Sequence, residues 1–222
     1  MPDSSHDFTW RISVRHMIGA FALALAIWLP SQGFAQGRSP AEHRFGVGLL
    51  YGFDGFSGSS TGTGSTAWAE GFKLFGNGVV GLTTHYGNGK LRVGMSFWYA
   101  TPGVGLENTD FMIVGKDVLE VVSLAPSVTA RLARLRGEAT LHLTGSVLLE
   151  RWKPAGTPGR NRVGGLAGLQ LEVPLTGRLV AAISGLFGVT PASPFTTDEL
   201  PAGYQPRALW RRMLLTGLSY HW

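Results

Sequence analysis

Large apolar residues alternate with small or polar ones along most of this chain. Phe45, Val47, Leu49, Tyr51 and Phe53 fall on one side of an extended segment, against Gly46, Gly48 and Gly52 on the other. Leu91, Val93, Met95, Phe97 and Tyr99 likewise oppose Lys90, Arg92, Gly94 and Ser96. Leu141, Leu143, Val147 and Leu149 oppose Thr140, His142, Thr144, Ser146 and Glu150; Val163, Leu169, Leu171 and Val173 oppose Gly164, Gly168, Gln170 and Glu172. A period of two is the signature of a strand with two different faces. It predicts strands over 43–53, 79–87, 90–101, 118–132, 138–152, 162–174, 178–189 and 208–222. The final segment carries Trp210, Leu214, Leu218, Tyr220 and Trp222 at even positions. Arg211, Gly217, Ser219 and His221 stand at odd ones, where Leu209, Met213 and Leu215 blur the contrast.

The gaps between these strands alternate in length. Gly87-Asn-Gly-Lys90, Arg134-Leu-Arg-Gly-Glu138 and Pro174-Leu-Thr-Gly177 read as tight turns, the first through an Asn-Gly pair suited to a two-residue hairpin. The segments 54–78, 102–117, 153–161 and 190–207 are longer and rich in Gly, Pro, Ser and Thr. Short turns at one end and long loops at the other are the asymmetry of a transmembrane β-barrel with periplasmic turns and external loops. The expected fold is therefore all-β: an up-and-down antiparallel barrel spanning 43–222, with both ends of the strand series in the periplasm and an even strand count. Eight strands is the first reading and ten the alternative, because 67–79 and Phe111 to Val114 could add strands. A soluble sandwich would also alternate, but its apolar face would point inward and its loops would lack this asymmetry.

Composition narrows the class. Glycine supplies 32 of 222 residues, about twice the usual frequency, which suits closely approaching, strongly tilted strands. Arg11, Arg15 and His16 precede an apolar run, Ile18 to Leu29, and Gly33-Phe34-Ala35 offers small residues for cleavage. Residues 1–35 are thus expected to be a secretory signal peptide, since the apolar run is shorter than the roughly 18 residues a transmembrane helix requires. Residues 36–42 would form a short periplasmic arm. With no cysteine in the chain, a lipoprotein anchor, disulfides, a thiol nucleophile and Cys-ligated metal are excluded. The formal net charge is +5, but the cations are scattered and accompany no phosphate-cradling or zinc-ligand spacing. Nucleic acid is not an expected partner, nor is a cofactor or metal. Anionic outer-membrane lipid and lipopolysaccharide are the better match for a basic barrel surface.

The leader, the alternating strands, the order of turns and loops and the aromatic last strand together resemble the small outer-membrane β-barrels of the OmpA membrane-domain and OmpX type, across about residues 43–222. The resemblance is architectural. It implies residence in a Gram-negative outer membrane and a C-terminal strand, marked by Trp210, Leu214, Leu218, Tyr220 and Trp222, that is read by the barrel assembly machinery.

An eight-stranded barrel has an interior just wide enough for side chains, so inward charge must be paired or wetted. Arg44, Arg92, Arg131 and Arg211 are expected to pair with Glu150 and Glu172, with His142 and Gln170 completing a polar plug; a narrow solute path is the competing reading. His142, Ser146 and Glu150 recur every four residues on one face and are the candidates for catalysis. A four-residue step on a strand covers about 13 Å, too far for hydrogen bonds between successive members, and no enzyme role is expected. In the long loops, Phe56, Trp68, Phe195, Asp198, Glu199 and Tyr204 are the expected external contacts. A structural, envelope-integrity or surface-interaction role without a catalytic centre follows, with a porin-like pore or solute-binding barrel as the alternative and lipid A modification behind both.

Overall fold

A computed structural model describes residues 44–62, 71–76, 78–107, 112–115, 118–135, 138–200 and 202–222. The expected signal peptide and arm, residues 1–42, and Trp68 lie outside them. Eight antiparallel strands close into a barrel: β1 (Arg44–Gly62), β3 (Gly78–Gly87), β4 (Leu91–Ala100), β7 (Leu119–Arg134), β8 (Thr140–Pro154), β9 (Arg160–Pro174), β10 (Leu179–Thr190) and β11 (Tyr204–His221). Each pairs with its neighbour in that order, and β11 returns to β1 to close the ring.

The alternation determines which side of the wall each residue occupies. Phe45, Leu49, Tyr51, Phe53, Val93, Met95, Leu143, Val147, Val163, Leu169, Ile183, Phe187, Trp210, Leu214 and Leu218 all face outward and are exposed. In water such a band would be an aggregation surface; around a closed barrel it is the face that meets hydrocarbon. A spanning sheet must also satisfy every backbone donor and acceptor internally, and only closure does so.

The count is eight, not ten. The two segments that could have added strands do pair, but outside the ring: β2 (Gly71–Phe75), β5 (Gly103–Glu107) and β6 (Met112–Gly115) form a separate three-stranded sheet in the order β2-β5-β6. At five, five and four residues they are far short of the roughly 9 to 11 a membrane-crossing strand needs.

β1 and β11 also outrun their expected limits. Their ladder continues from Gly46↔His221 through to Gly62↔Tyr204, across a register shift between Gly58 and Ser60. Gly58 and Ser59 carry φ of 89° and 77° there, which marks a bulge. The Gly/Ser/Thr tract of β1 has no apolar alternation, so its extension is decided by the backbone of β11 rather than by side-chain pattern. The Asn-Gly turn differs in mechanism from the expected two-residue hairpin. Asn88 Oδ1 accepts hydrogen bonds from the amides of Lys90 (2.8 Å) and Leu91 (2.9 Å), and the positive φ falls on Gly87. The side chain of Asn88 therefore mimics a backbone turn.

At the seam, the Trp222 amide donates to the Phe45 carbonyl at 2.9 Å and the two rings lie 5.4 Å apart. Arg178 Nη1 reaches the Tyr220 hydroxyl at 3.0 Å. A folded barrel resists detergent until boiled, so unboiled and boiled samples are expected to migrate differently on a gel and to give a β-type circular dichroism spectrum. Deleting residues 220–222 removes the aromatic anchor and the last seam bonds. The heat-modifiable fraction recovered from membranes is expected to fall several-fold, as a comparison of the two strains by immunoblot would show.

Candidate functional site

The lumen is where the sequence placed its chemistry, and its inward residues are arranged in layers. Nearest the short turns, Arg92 Nη2 donates to Glu172 Oε1 at 2.8 Å, Gln170 Nε2 donates to the same oxygen at 2.9 Å, and His142 Nε2 lies 3.3 Å from Glu172 Oε2. Thr140 Oγ1 is 2.9 Å from His142 Nε2. His85 and His221 stack edge-on beside this group with ring centroids 4.7 Å apart. Above it lies a cavity of about 70 Å³ lined by hydroxyls of Thr83, Ser96, Ser127, Thr144, Ser146 and Ser184. His85 Nε2 and Trp98 Nε1 border it, buried and without a hydrogen-bond partner among the described residues. It has the room and the polar partners that ordered water requires.

The next layer is apolar. Val79, Trp98, Ala100, Ala125, Leu148, Leu166, Met213 and Leu215 are buried together across the bore, with Leu50 and Leu186 against them. Met213 and Leu215, which obscured the alternation of the last strand, are inward residues of this plug. Beyond it lies a second ionic layer centred on Arg211, which is 1% exposed. Its Nε donates to Asp54 Oδ2 and its Nη1 to Glu150 Oε1, both at 2.6 Å. Ser123 Oγ accepts from Nη1 at 3.3 Å, and the Phe56 ring centroid lies 5.4 Å from the guanidinium carbon. Glu150 Oε2 accepts from Thr190 Oγ1 (2.8 Å) and Trp152 Nε1 (3.2 Å). One guanidinium thus faces two buried carboxylates; Thr190 and Trp152 complete the partners of Glu150, while Asp54 Oδ1 is buried without a hydrogen bond from a described residue.

A second apolar layer lies at the long-loop end. Leu74 of β2, Val104 of β5, Leu119, Val121, Trp152 and Leu209 of the barrel, and Phe195, Leu200 and Tyr204 pack together over the Arg211 layer. The connection 191–203, which includes a 3₁₀ turn at Thr197–Glu199, is clamped inward from β9. Arg162 Nε donates to the Ser193 carbonyl at 2.7 Å, and Arg160 Nη1 to the Pro194 carbonyl at 3.2 Å. Arg160 also forms an ion pair with Glu199, while Ser193 Oγ donates to the Ser59 carbonyl at 2.8 Å.

The structure regroups the residues singled out in the sequence. Arg92, His142, Gln170 and Glu172 do meet, and so do Arg211 and Glu150, but in two layers separated by the apolar plug rather than in one network. Arg44 is not in the lumen: it sits at the short-turn rim, where Nη1 reaches the Gly177 carbonyl at 3.4 Å. Arg131 lies at the β7 bulge, half-buried, and makes no ion pair with a described residue. Asp54 falls in the expected loop 54–78, yet it continues the inward even-numbered register of β1 beyond Gly52; that parity is the available signal. The external contacts also need correction. Phe195 and Tyr204 are 6% and 3% exposed, and Phe56 packs on Trp152 with ring centroids 5.7 Å apart. Apolar rings at the barrel mouth bury themselves in the cap instead of facing solvent. Of that group Asp198 is exposed and Glu199 is tied to Arg160.

Two measurements probe these layers. Replacing Arg211 alone with Met strands two buried carboxylates and is expected to cost about 3 to 5 kcal/mol in urea unfolding from micelles. The triple variant Asp54→Leu, Glu150→Leu, Arg211→Met should recover most of that loss. At the lid, the hydrogen bond from Arg160 holds the Glu199 carboxyl below its ordinary value and raises the Arg160 guanidinium. A depressed carboxyl stabilises the fold above its unfolded pKa and ceases to do so as pH falls through the folded value. Amide hydrogen exchange over 191–203 should therefore accelerate below about pH 4, the ordinary carboxylate range, and Glu199→Gln should show the faster exchange already at neutral pH.

No protein-family model and no curated protein sequence matches the chain. Among solved structures it is similar to Neisserial surface protein A, with a TM-score of 0.55 and 11% identity over 79% of this chain and 96% of that one. It is also similar to the outer membrane protein OprG from Pseudomonas aeruginosa, with a TM-score of 0.51 and 12% identity over 82% of this chain and 97% of that one. At such identities the likeness shows the fold alone: this chain has the closed eight-stranded antiparallel barrel of the small outer-membrane proteins.

Proposed function

We propose that the protein is an exported, integral outer-membrane barrel that serves envelope integrity or presents an external surface, with a lumen that does not pass solutes. The observation that supports this reading is the layering of the bore. Two ionic groups, an apolar plug between them and an apolar cap above fill the bore among the described residues, and the cavity between the lower ionic group and the plug is about 70 Å³, too small for a wide path. The reading includes no catalytic role. His142, Ser146 and Glu150 do not converge: His142 engages Glu172, Glu150 engages Arg211, and Ser146 lines the cavity between. Outer-membrane lipid and the barrel assembly machinery are the partners this reading implies.

Planar-bilayer recording is the direct test. The purified barrel is expected to give no stable single-channel steps at moderate voltage and salt. Large, reproducible steps that vanish when the bore is narrowed by Gly217→Leu would replace this reading with the pore.

A further inference from the structure

The outward face of β11 carries a charge, Arg212, within its mostly apolar run from Trp210 to Trp222. Arg212 points outward from β11 between Trp210 and Leu214, both exposed on the same face. On β10 its ladder partner is Phe187, also exposed. Its guanidinium makes no hydrogen bond or ion pair with any described residue. A charge on the lipid face is tolerated when its long side chain can reach a polar partner at the interface. Trp210, about 7 Å farther along the strand towards the external side, marks that interface.

Beside Arg212 the wall is indented. Gly165 and Ala167 of β9, Phe187 and Val189 of β10, and Trp210 of β11 border an open, almost wholly apolar groove of about 310 Å³. Phe187 and Trp210 stack along its edge with ring centroids 5.5 Å apart. The groove lies within the apolar band, so what fills it is hydrocarbon. The unpaired cation next to Phe187 and Trp210 on its edge favours an occupant that also carries an anion at interfacial depth.

We propose that this groove and Arg212 form a docking site for a phosphorylated, multiply acylated glycolipid of the external leaflet. One acyl chain lies along Gly165 and Ala167 against the Phe187–Trp210 stack, and a phosphate accepts from the Arg212 guanidinium, the planar donor suited to it. The external leaflet is chosen because Arg212 lies two residues from Trp210, on the long-loop side of the exposed apolar stripe that runs from Trp210 to Trp222. The site rests on the proposed orientation in the outer membrane, and it leaves the closed lumen unaffected.

Equilibrium titration of the full-length protein, purified in detergent, with radiolabelled lipid A tests it, with phosphatidylglycerol as the competing lipid. Wild type is expected to bind lipid A saturably, near one per barrel, and to prefer it over phosphatidylglycerol. Arg212→Gln should weaken binding about tenfold, the loss of one charge-assisted contact. Gly165→Leu should weaken it by a similar factor by filling the groove. A Cβ at Gly165 meets nothing nearer than the Ser146 carbonyl at 3.8 Å, so that variant is expected to fold, as heat-modifiable migration would verify. Arg151→Gln removes an exposed cation on β8 and should leave binding unchanged. Equal binding by wild type, Arg212→Gln and Gly165→Leu would overturn the site. So would equal weakening by Arg151→Gln, which denotes diffuse charge attraction, or preference for phosphatidylglycerol. None of these results alters the conductance on which the closed-lumen reading stands.

Discussion

Every backbone amide and carbonyl in the apolar band must find its partner within the chain, because hydrocarbon offers none. That constraint is met by a single ring of eight strands and is completed where β1 pairs with β11. The strand number follows from how many segments are long enough to cross, and the number fixes the bore. The bore in turn decides what the inward residues can be. At Gly52 a Cβ would lie 2.0 Å from the Leu214 carbonyl oxygen, and at Gly168 one would lie 2.1 Å from that of Gly185. Strands this close admit no side chain at those points, which accounts for much of the glycine in the composition.

The remaining inward positions are filled in alternating chemical layers. A wholly ionic interior would have to desolvate many charges at once, and a wholly apolar one would not distinguish one register from another. Here each charged group is confined to a layer where opposite charge and hydroxyl donors stand within hydrogen-bond reach. The apolar layers between them exclude the water that would weaken those contacts. Arg92–Glu172 and Arg211–Glu150 join strands distant in sequence, so each layer also ties the ring across its diameter.

The barrel itself was legible because period two is a local property. Strands such as 90–101 and 162–174 declare both faces within a dozen residues, and the structure places them at Leu91–Ala100 and Arg160–Pro174. Features that depend on a distant partner were not legible. The upper half of β1 is held by the β11 backbone, so its Gly/Ser/Thr sequence gave no warning, and Asp54 was lost with it. The three short strands outside the ring pair with one another, which no single segment reveals. Phe195 and Tyr204 sit in loops by sequence, but a loop over an apolar barrel mouth has a core to join. Arg44 had the right parity for the lumen, but as the first residue of β1 it bonds the Gly177 carbonyl at the rim instead.

The seam has a kinetic consequence. Asp54 and Arg211 are separated by 157 positions in the chain, and the ladder that joins their strands is the one that closes the ring. Neighbouring hairpins such as β3–β4 can zip locally, but the seam requires the first strand to wait for the last, with its edge and its carboxylate unmet. Contacts of such long range make the final step slow and leave the unclosed sheet open to pairing with other chains. Ring closure and neutralisation of the buried carboxylates are then one event, so a barrel that has not yet received its eighth strand is unfinished in its backbone and in its charge at the same moment.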